Sequence, residues 1–289
     1  MTALSVSFEF FPPKNDEGEA SLWKALHKLE KVRPKFVSVT YGAGGTTRDR
    51  TLGTVRRIVQ ETTLKPAAHL TCVGASKEEV NAVVREFWAA GVRQIVALRG
   101  DPPQGVGARF TPHPQGYRNA ADLVRGIREI EPFQVSVSAY PEKHPESVSI
   151  EEDLAFLADK ADHGATEAIT QFFFFNAAYL RLRDRIAARG IKIKLLPGIL
   201  PITNFARAQE FAGKCGAHIP PEMTRRFSGL DAEPETRNLV AAMFAAEQVQ
   251  ALQREGVEDF HFYTLNRADL VYAICRMLGL GANDAVEAA

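Results

Sequence analysis

Eight short apolar segments recur along the chain, most of them followed by a stretch whose apolar residues have helical spacing. They lie at 5–11, 36–41, 68–73, 94–99, 134–140, 168–174, 194–200 and 259–265. Parallel neighbours can be joined only by a long return connection, so alternation on this scale predicts parallel strands with crossover helices. Eight such units predict an α/β fold closed into a (β/α)8 TIM barrel. The 289 residues suit one barrel of about 250 residues, so a single domain over 1–289 is expected.

Helix signals fall between the strands. Ser149 with Glu152 three residues on has the capping-box pattern, and Leu154, Leu157, Ala158 and Ala161 then share one helix face. Pro12 and Pro13 remove ladder donors and should end the first strand. Gly91, Gly164, Gly190 and Gly256 each stand where a helix must stop before the next strand. Residues 233–255 read as an amphipathic helix with Pro234 in its first turn, preceded by a shorter piece at 221–227. These are extra helices before strand eight. The Pro- and Gly-rich stretch 102–116 reads as a long loop.

Composition narrows the function classes. Lys plus Arg and Asp plus Glu are both 35, so no net field would recruit nucleic acid or an anionic membrane. No apolar run approaches the roughly 20 residues of a membrane span, and the start of the chain lacks the basic region and apolar run of a signal peptide. A cytoplasmic protein acting on a small molecule is expected. Cys72, Cys215 and Cys275 are dispersed and odd in number, which argues against a disulfide framework or zinc site. No metal or serine-nucleophile motif is present. Apolar helix faces fit either core packing or a homo-oligomer interface.

Barrel active sites sit at the C-terminal ends of the strands, which turns strand exits into a candidate site. They supply Glu9, Thr40, Tyr41, His69, Thr71, Arg99, Gly100, Asp101, Tyr140, Gln171, the bend at 197–201, Asn266 and Arg267. So many polar groups around one rim need partners, and a polar ligand would provide them. Taken singly, each has a plainer reading. Glu9 fits a carboxylate paired with Lys or Arg, His69 a half-buried histidine bonded to a carbonyl, and the phenylalanines at 172–175 core packing. The Gly-rich stretch at 42–47 could face an anion with its amides, but it lacks the spacing of a Rossmann or P-loop motif.

These residues lie in longer blocks: VSFEFFPP at 6–13, FVSVTYGA at 36–43, HLTC at 69–72, ALRGD at 97–101, AYPE at 139–142, ITQFFF at 169–174, PGILP at 197–201 and DFHFYTLNR at 259–267. In this order and at eight strands, they closely resemble the methylenetetrahydrofolate reductase family over nearly the whole chain. The resemblance implies FAD at the C-terminal face, reduced by NADH or NADPH, and a folate substrate reduced from 5,10-methylene- to 5-methyltetrahydrofolate. It gives Glu9 the role of general acid and Asp101 that of a carboxylate beside flavin and pterin. Thr40, Tyr41, Ala43, His69, Arg99, Gly100, Asp101, Ala120, Tyr140, His144, Asp153 and Lys160 match flavin-binding positions. Asp101, Gln171, Arg207, Phe211 and Arg267 match positions that bind folate or nicotinamide, Arg267 through the glutamate tail.

The chain departs from the family pattern in the helix after strand five. Phe156 and Asp159 stand where a polar and a basic residue would face the FAD, and Arg207 stands where a glutamine would face folate. An apolar and an acidic side chain near a diphosphate should weaken its retention. Two other readings follow: the same reaction without permanently bound flavin, and a folate-binding protein without catalysis.

Overall fold

The computed structural model describes residues 4–42, 47–102 and 110–281. Among these, strands and helices alternate in the order β1 (Ser5–Phe10), α1 (Asp16–Glu30), β2 (Val37–Val39), α2 (Arg48–Glu61), β3 (Pro66–Thr71), α3 (Lys77–Ala89), β4 (Gln94–Leu98) and α4 (Ala120–Ile130). Then come β5 (Gln134–Ala139), α5 (Ile150–Asp162), β6 (Glu167–Thr170), α6 (Asn176–Ala188), β7 (Lys194–Leu196) and β8 (Gly198–Ile199). The chain continues through α7 (Phe205–Cys215), α8 (Pro221–Phe227), α9 (Pro234–Arg254), β9 (Asp259–Tyr263) and α10 (Ala268–Met277). The extra helices α8 and α9 precede the last strand, as the sequence predicts.

Every pairing is parallel, and the strand order is β7-β6-β5-β4-β3-β2-β1-β9-β8. Nine strands appear where eight segments were expected, because the seventh is interrupted at Pro197. Proline has no N–H to give to a ladder. Lys194–Leu196 pairs with β6, and Gly198–Ile199 changes partner to β9. The Pro197 carbonyl accepts from the His261 amide at 3.0 Å, so this stave brings the two edges of the sheet together.

Most strands end earlier than their apolar patterns. The exits turn into loops, as at Leu265 and Asn266, both in the left-handed region with φ of 50° and 56°. Beyond Phe10 the ladder is continued by a side chain: Phe11 N donates to Asn266 Oδ1 at 2.8 Å, and Asn266 Nδ2 donates to the Phe11 carbonyl at 3.0 Å. Helix starts are capped by side-chain oxygens. Ser76 and Glu79 form a reciprocal box on α3. On α5, Ser149 Oγ accepts from the Glu152 amide, but the Glu152 carboxylate accepts from Val148, one residue before the expected partner. Leu154 and Leu157 of that helix are buried, while Ala158 and Ala161 are half-buried.

Alternation along the strands separates two interiors. Val6, Phe8, Phe10, Phe260 and Phe262 belong to the large core shared with the helices. Inside the barrel, Phe36, Ala67, Val96, Ile169 and Leu196 form a thin apolar layer. Below it, at the strand starts, buried Glu167 accepts from Lys35 at 2.7 Å, from Gln94 at 3.2 Å and from Ser136 at 3.3 Å. This floor satisfies itself and closes the bottom. Above the apolar layer the inward polar residues lack such mutual satisfaction, and there the cavity begins. Among the described residues, no helix is long and apolar enough to cross a membrane.

Candidate functional site

A cavity of about 800 Å3 opens at the C-terminal ends of the strands, within the size range of small-molecule and cofactor sites. Its wall contains Glu9, Thr40, Tyr41, His69, Thr71, Arg99, Gly100, Asp101, Ala120, Tyr140, His144, Asp153, Lys160, Gln171 and Phe211. Phe156 and Asp159 stand in it too. Ala43 lies outside the described residues. Arg207 and Arg267 are exposed and outside the wall; the Arg207 amide is capped by Asn204 Oδ1, and the Arg267 amide donates to the Thr264 carbonyl. Of the loop expected at 102–116, residues 103–109 lie outside the description, and Phe110 packs under the Arg99 guanidinium at 4.8 Å.

At the inner end, Glu9 is held between two histidines. Its Oε2 is 3.4 Å from His69 Nε2 and 3.8 Å from His261 Nε2. Among the described residues no Lys or Arg pairs with Glu9, so the plain reading of an ordinary salt bridge does not apply. His69 bonds no carbonyl through Nε2 either: that atom and His261 Nε2 are buried without a hydrogen-bond partner. Burial pushes the His69 pKa down, against the pull of Glu9. On the far side of the other ring, Ser7 Oγ lies 2.8 Å from His261 Nδ1, which fixes that imidazole with Nε2 toward Glu9.

Orphaned buried polar atoms are rare in folded proteins, and a cluster of them at the bottom of a cavity marks where a ligand's polar atoms belong. The surrounding surface offers an apolar face. Phe172 and Phe211 stack with ring centroids 5.8 Å apart, and Phe211 is 56 % exposed toward solvent. The sequence reading assigned 172–175 to core; Phe173 and Phe174 are buried core, but Phe172 also reaches the cavity, and Phe175 is exposed at the start of α6. Gln171 Oε1 accepts from the Phe172 amide at 2.9 Å, which orients the side chain with its NH2 as donor.

The outer arm is polar and lies over the start of α4. Gly100 lets β4 turn there: its φ is +85°, and a Cβ would stand 2.5 Å from Val73 Cγ1. Lys160 donates to the Ser138 carbonyl at 2.6 Å, and burial lowers its pKa to about 8. A buried ammonium with donors to spare suits an anion, as does a helix start. Asp153 accepts from the His144 amide at 2.8 Å and from Ser147 Oγ, so it anchors the 144–147 loop as well as facing the cavity. The Asp159 carboxylate pairs with His163 at 3.1 Å. At 42–47, the Gly42 amide is already taken by Thr47 Oγ1 at 2.6 Å. These residues fit a dinucleotide such as FAD.

Sequence reasoning passed over Ser7, His261 and Tyr263. The signal was available: period-two alternation puts Asp259, His261 and Tyr263 on one face, and the β1–β9 register sets Ser7 beside His261 and Glu9 beside Tyr263. Tyr263 crosses the barrel and donates from its hydroxyl to the Thr170 carbonyl at 2.7 Å. It passes over Gly198, where a Cβ would lie 2.2 Å from the Thr170 oxygen. Among the described residues, no cluster of His, Cys, Asp and Glu is arranged to hold a metal ion.

Comparison with known proteins places this geometry in a family. The model described as Methylenetetrahydrofolate reductase matches residues 2–279. The chain is 50% identical over 277 residues to the 5,10-methylenetetrahydrofolate reductases of Escherichia coli and of Pectobacterium carotovorum, covering 96% of this chain and 91% of each relative. Among solved structures, a Clostridium thermocellum protein described as binding two copies of 5-methyl-5,6,7,8-tetrahydrofolic acid superposes with a TM-score of 0.59 at 11% identity, covering 94% of this chain and 93% of that one. A 2,3-dimethylmalate lyase superposes at 0.51 and 15% identity, covering 99% and 93%. Likeness at such identity is one of fold alone.

Proposed function

The chain belongs to the methylenetetrahydrofolate reductase family, and from that premise we propose that it reduces 5,10-methylenetetrahydrofolate to 5-methyltetrahydrofolate, using FAD and NADH or NADPH. The observation that carries this reading is the placement of Glu9 between two buried histidines, in one cavity wall with Asp101 and Gln171. Bound FAD would supply hydride transfer, from the nicotinamide to the one-carbon unit of the folate.

The chain's own groups do the rest. Protonated Glu9 donates to the folate nitrogen whose bond to the one-carbon unit breaks, as the five-membered ring opens to an iminium cation. His69, kept neutral at pH 7 by burial, offers Glu9 an imidazole rather than a fixed counter-cation. Ser7 and His261 hold the second imidazole in place. Asp101 sets a negative charge near the cation. Gln171 presents its NH2 to the folate or the nicotinamide in turn, and the Phe172–Phe211 pair gives either ring an apolar face.

For the flavin, Lys160, Arg99 and the start of α4 would meet the diphosphate, with Thr40, Tyr41, His69, Gly100 and Tyr140 along the rest. Arg207 and Arg267, mobile-length side chains at the rim, would reach the substrate's outer end. One barrel domain, working in the cytoplasm, carries the whole activity in this reading. The test is anaerobic: protein reconstituted with FAD is reduced by each nicotinamide and then mixed with methylenetetrahydrofolate. Reoxidation with formation of methyltetrahydrofolate is expected; a reduced flavin that folate leaves unchanged defeats the proposal.

A further inference from the structure

Two loops leave the adjacent strands β4 and β5, and one ion pair ties them across the cavity mouth. Arg99, after β4, gives Nη1 to Glu146 Oε2 at 2.8 Å and Nη2 to Glu146 Oε1 at 2.9 Å. The bond to Arg99 is the main cause that holds the Glu146 carboxyl below its ordinary range. Glu146 is not a loose surface carboxylate that happens to point inward. The Glu146 amide donates to His144 Nδ1 at 3.1 Å, and the loop on either side is fastened to α5 through the two bonds that Asp153 accepts from His144 and Ser147. Both side chains of the pair stay about a quarter to a third open, at 27% for Arg99 and 30% for Glu146, so an incoming anion can reach them.

This inference rests on the flavin reading given above. A guanidinium binds phosphate through the same planar fork of donors that binds a carboxylate. With both terminal nitrogens on Glu146, the end-on pair of that fork is occupied. Lys160 does not replace it, because an ammonium, one of whose three donors goes to the Ser138 carbonyl, meets phosphate as a point charge and not as a planar fork. We propose that Glu146 sets the affinity for a diphosphate-bearing flavin by competing for Arg99. Cofactor entry then exchanges one anion for another on the same guanidinium, and the displaced carboxylate turns to solvent. The competitor is built into the loop that also shapes the site, so its strength is a property of the apoprotein.

Titration of flavin-free wild type, Glu146→Gln and Glu146→Ala with FAD and with riboflavin, followed by quenching of flavin fluorescence, tests this. Both variants should bind FAD about three- to fivefold more tightly than wild type, the scale of one partly exposed charge pair. Riboflavin has no diphosphate, and its affinity should change less than twofold. Two variants guard against a folding defect peculiar to one, and circular dichroism checks both. FAD affinity equal to wild type or weaker in the variants overturns the proposal and leaves the flavin reading standing, as does an equal gain for riboflavin. Failure of all three proteins to bind FAD overturns the flavin reading and this inference with it.

Discussion

Glu9 Oε2 lies 3.4 Å from Nε2 of His69, and both side chains are largely buried, at 14% and 8% exposure. With no Lys or Arg partner for Glu9 among the described residues, the carboxyl group faces a buried imidazole at the inner end of the cavity.

Replacing the carboxyl with an amide removes the acid while keeping the shape. Glu9→Gln should lower folate-dependent reoxidation of the flavin by about 10²–10⁴-fold, the usual range for a general acid. Reduction of the flavin by the nicotinamide should stay within a few-fold of wild type, because hydride transfer to the flavin needs no proton from Glu9. Stopped-flow measurement of the two half-reactions separates them; equal losses in both would show that Glu9 serves binding rather than protonation.

His69 gives the fold a pH dependence whose sign can be worked out. Burial lowers its pKa from the ordinary 6.5, so below that value the unfolded chain binds a proton that the folded chain refuses. Stability from this group is complete above pH 6.5 and is lost as pH falls toward the lower folded value. His144 is lowered too, again chiefly by burial, and adds a slope of the same sign. His69→Asn should therefore flatten part of the decline in unfolding free energy between pH 6.5 and 5. Denaturant melts at several pH values measure it, and an unchanged slope counts against the assignment.

Lys160 predicts a second pH effect, on cofactor affinity. With its pKa near 8 in the free protein, the ammonium is charged at pH 7 and attracts the diphosphate. Affinity for FAD should be nearly flat below pH 8 and fall above it, by up to about tenfold per pH unit until the pKa of the complex is reached. Lys160→Met should bind FAD more weakly at pH 7 and lose the slope. Equilibrium titrations across pH 6.5 to 9.5 decide the matter.

The strut across the top of the barrel predicts two stability effects. Tyr263→Phe leaves the buried Thr170 carbonyl without the hydroxyl that now donates to it, at a cost of about 1–3 kcal/mol. Gly198→Ala sets a methyl group 2.2 Å from that oxygen and 2.6 Å from Tyr263 Cε2; overpacking of this kind costs about 1–3 kcal/mol or more. Thermal melts should show both variants below wild type, with Gly198→Ala the lower if Tyr263 has to move aside.

Chain order, strand count to within one and the rim of the site follow from local pattern. The apolar runs and their helical sequels dictate alternation, and strand exits then name Glu9, His69, Asp101 and Gln171, because a parallel barrel sends every exit to one end. Pro197 was visible in the sequence, but its effect was not. A missing N–H says that a ladder breaks there, and only the positions of β6 and β9 decide that the stave changes partner.

Local sequence therefore determined which side chains arrive at the mouth, since backbone periodicity and connection length are short-range properties. Which of those side chains are already satisfied was decided by tertiary structure alone. Arg99 meets Glu146 forty-seven positions away, and Glu9 meets His261 from the opposite end of the chain. Pairing between charged or titratable groups depends on distances in space, which the register of the closed sheet sets and no local pattern encodes.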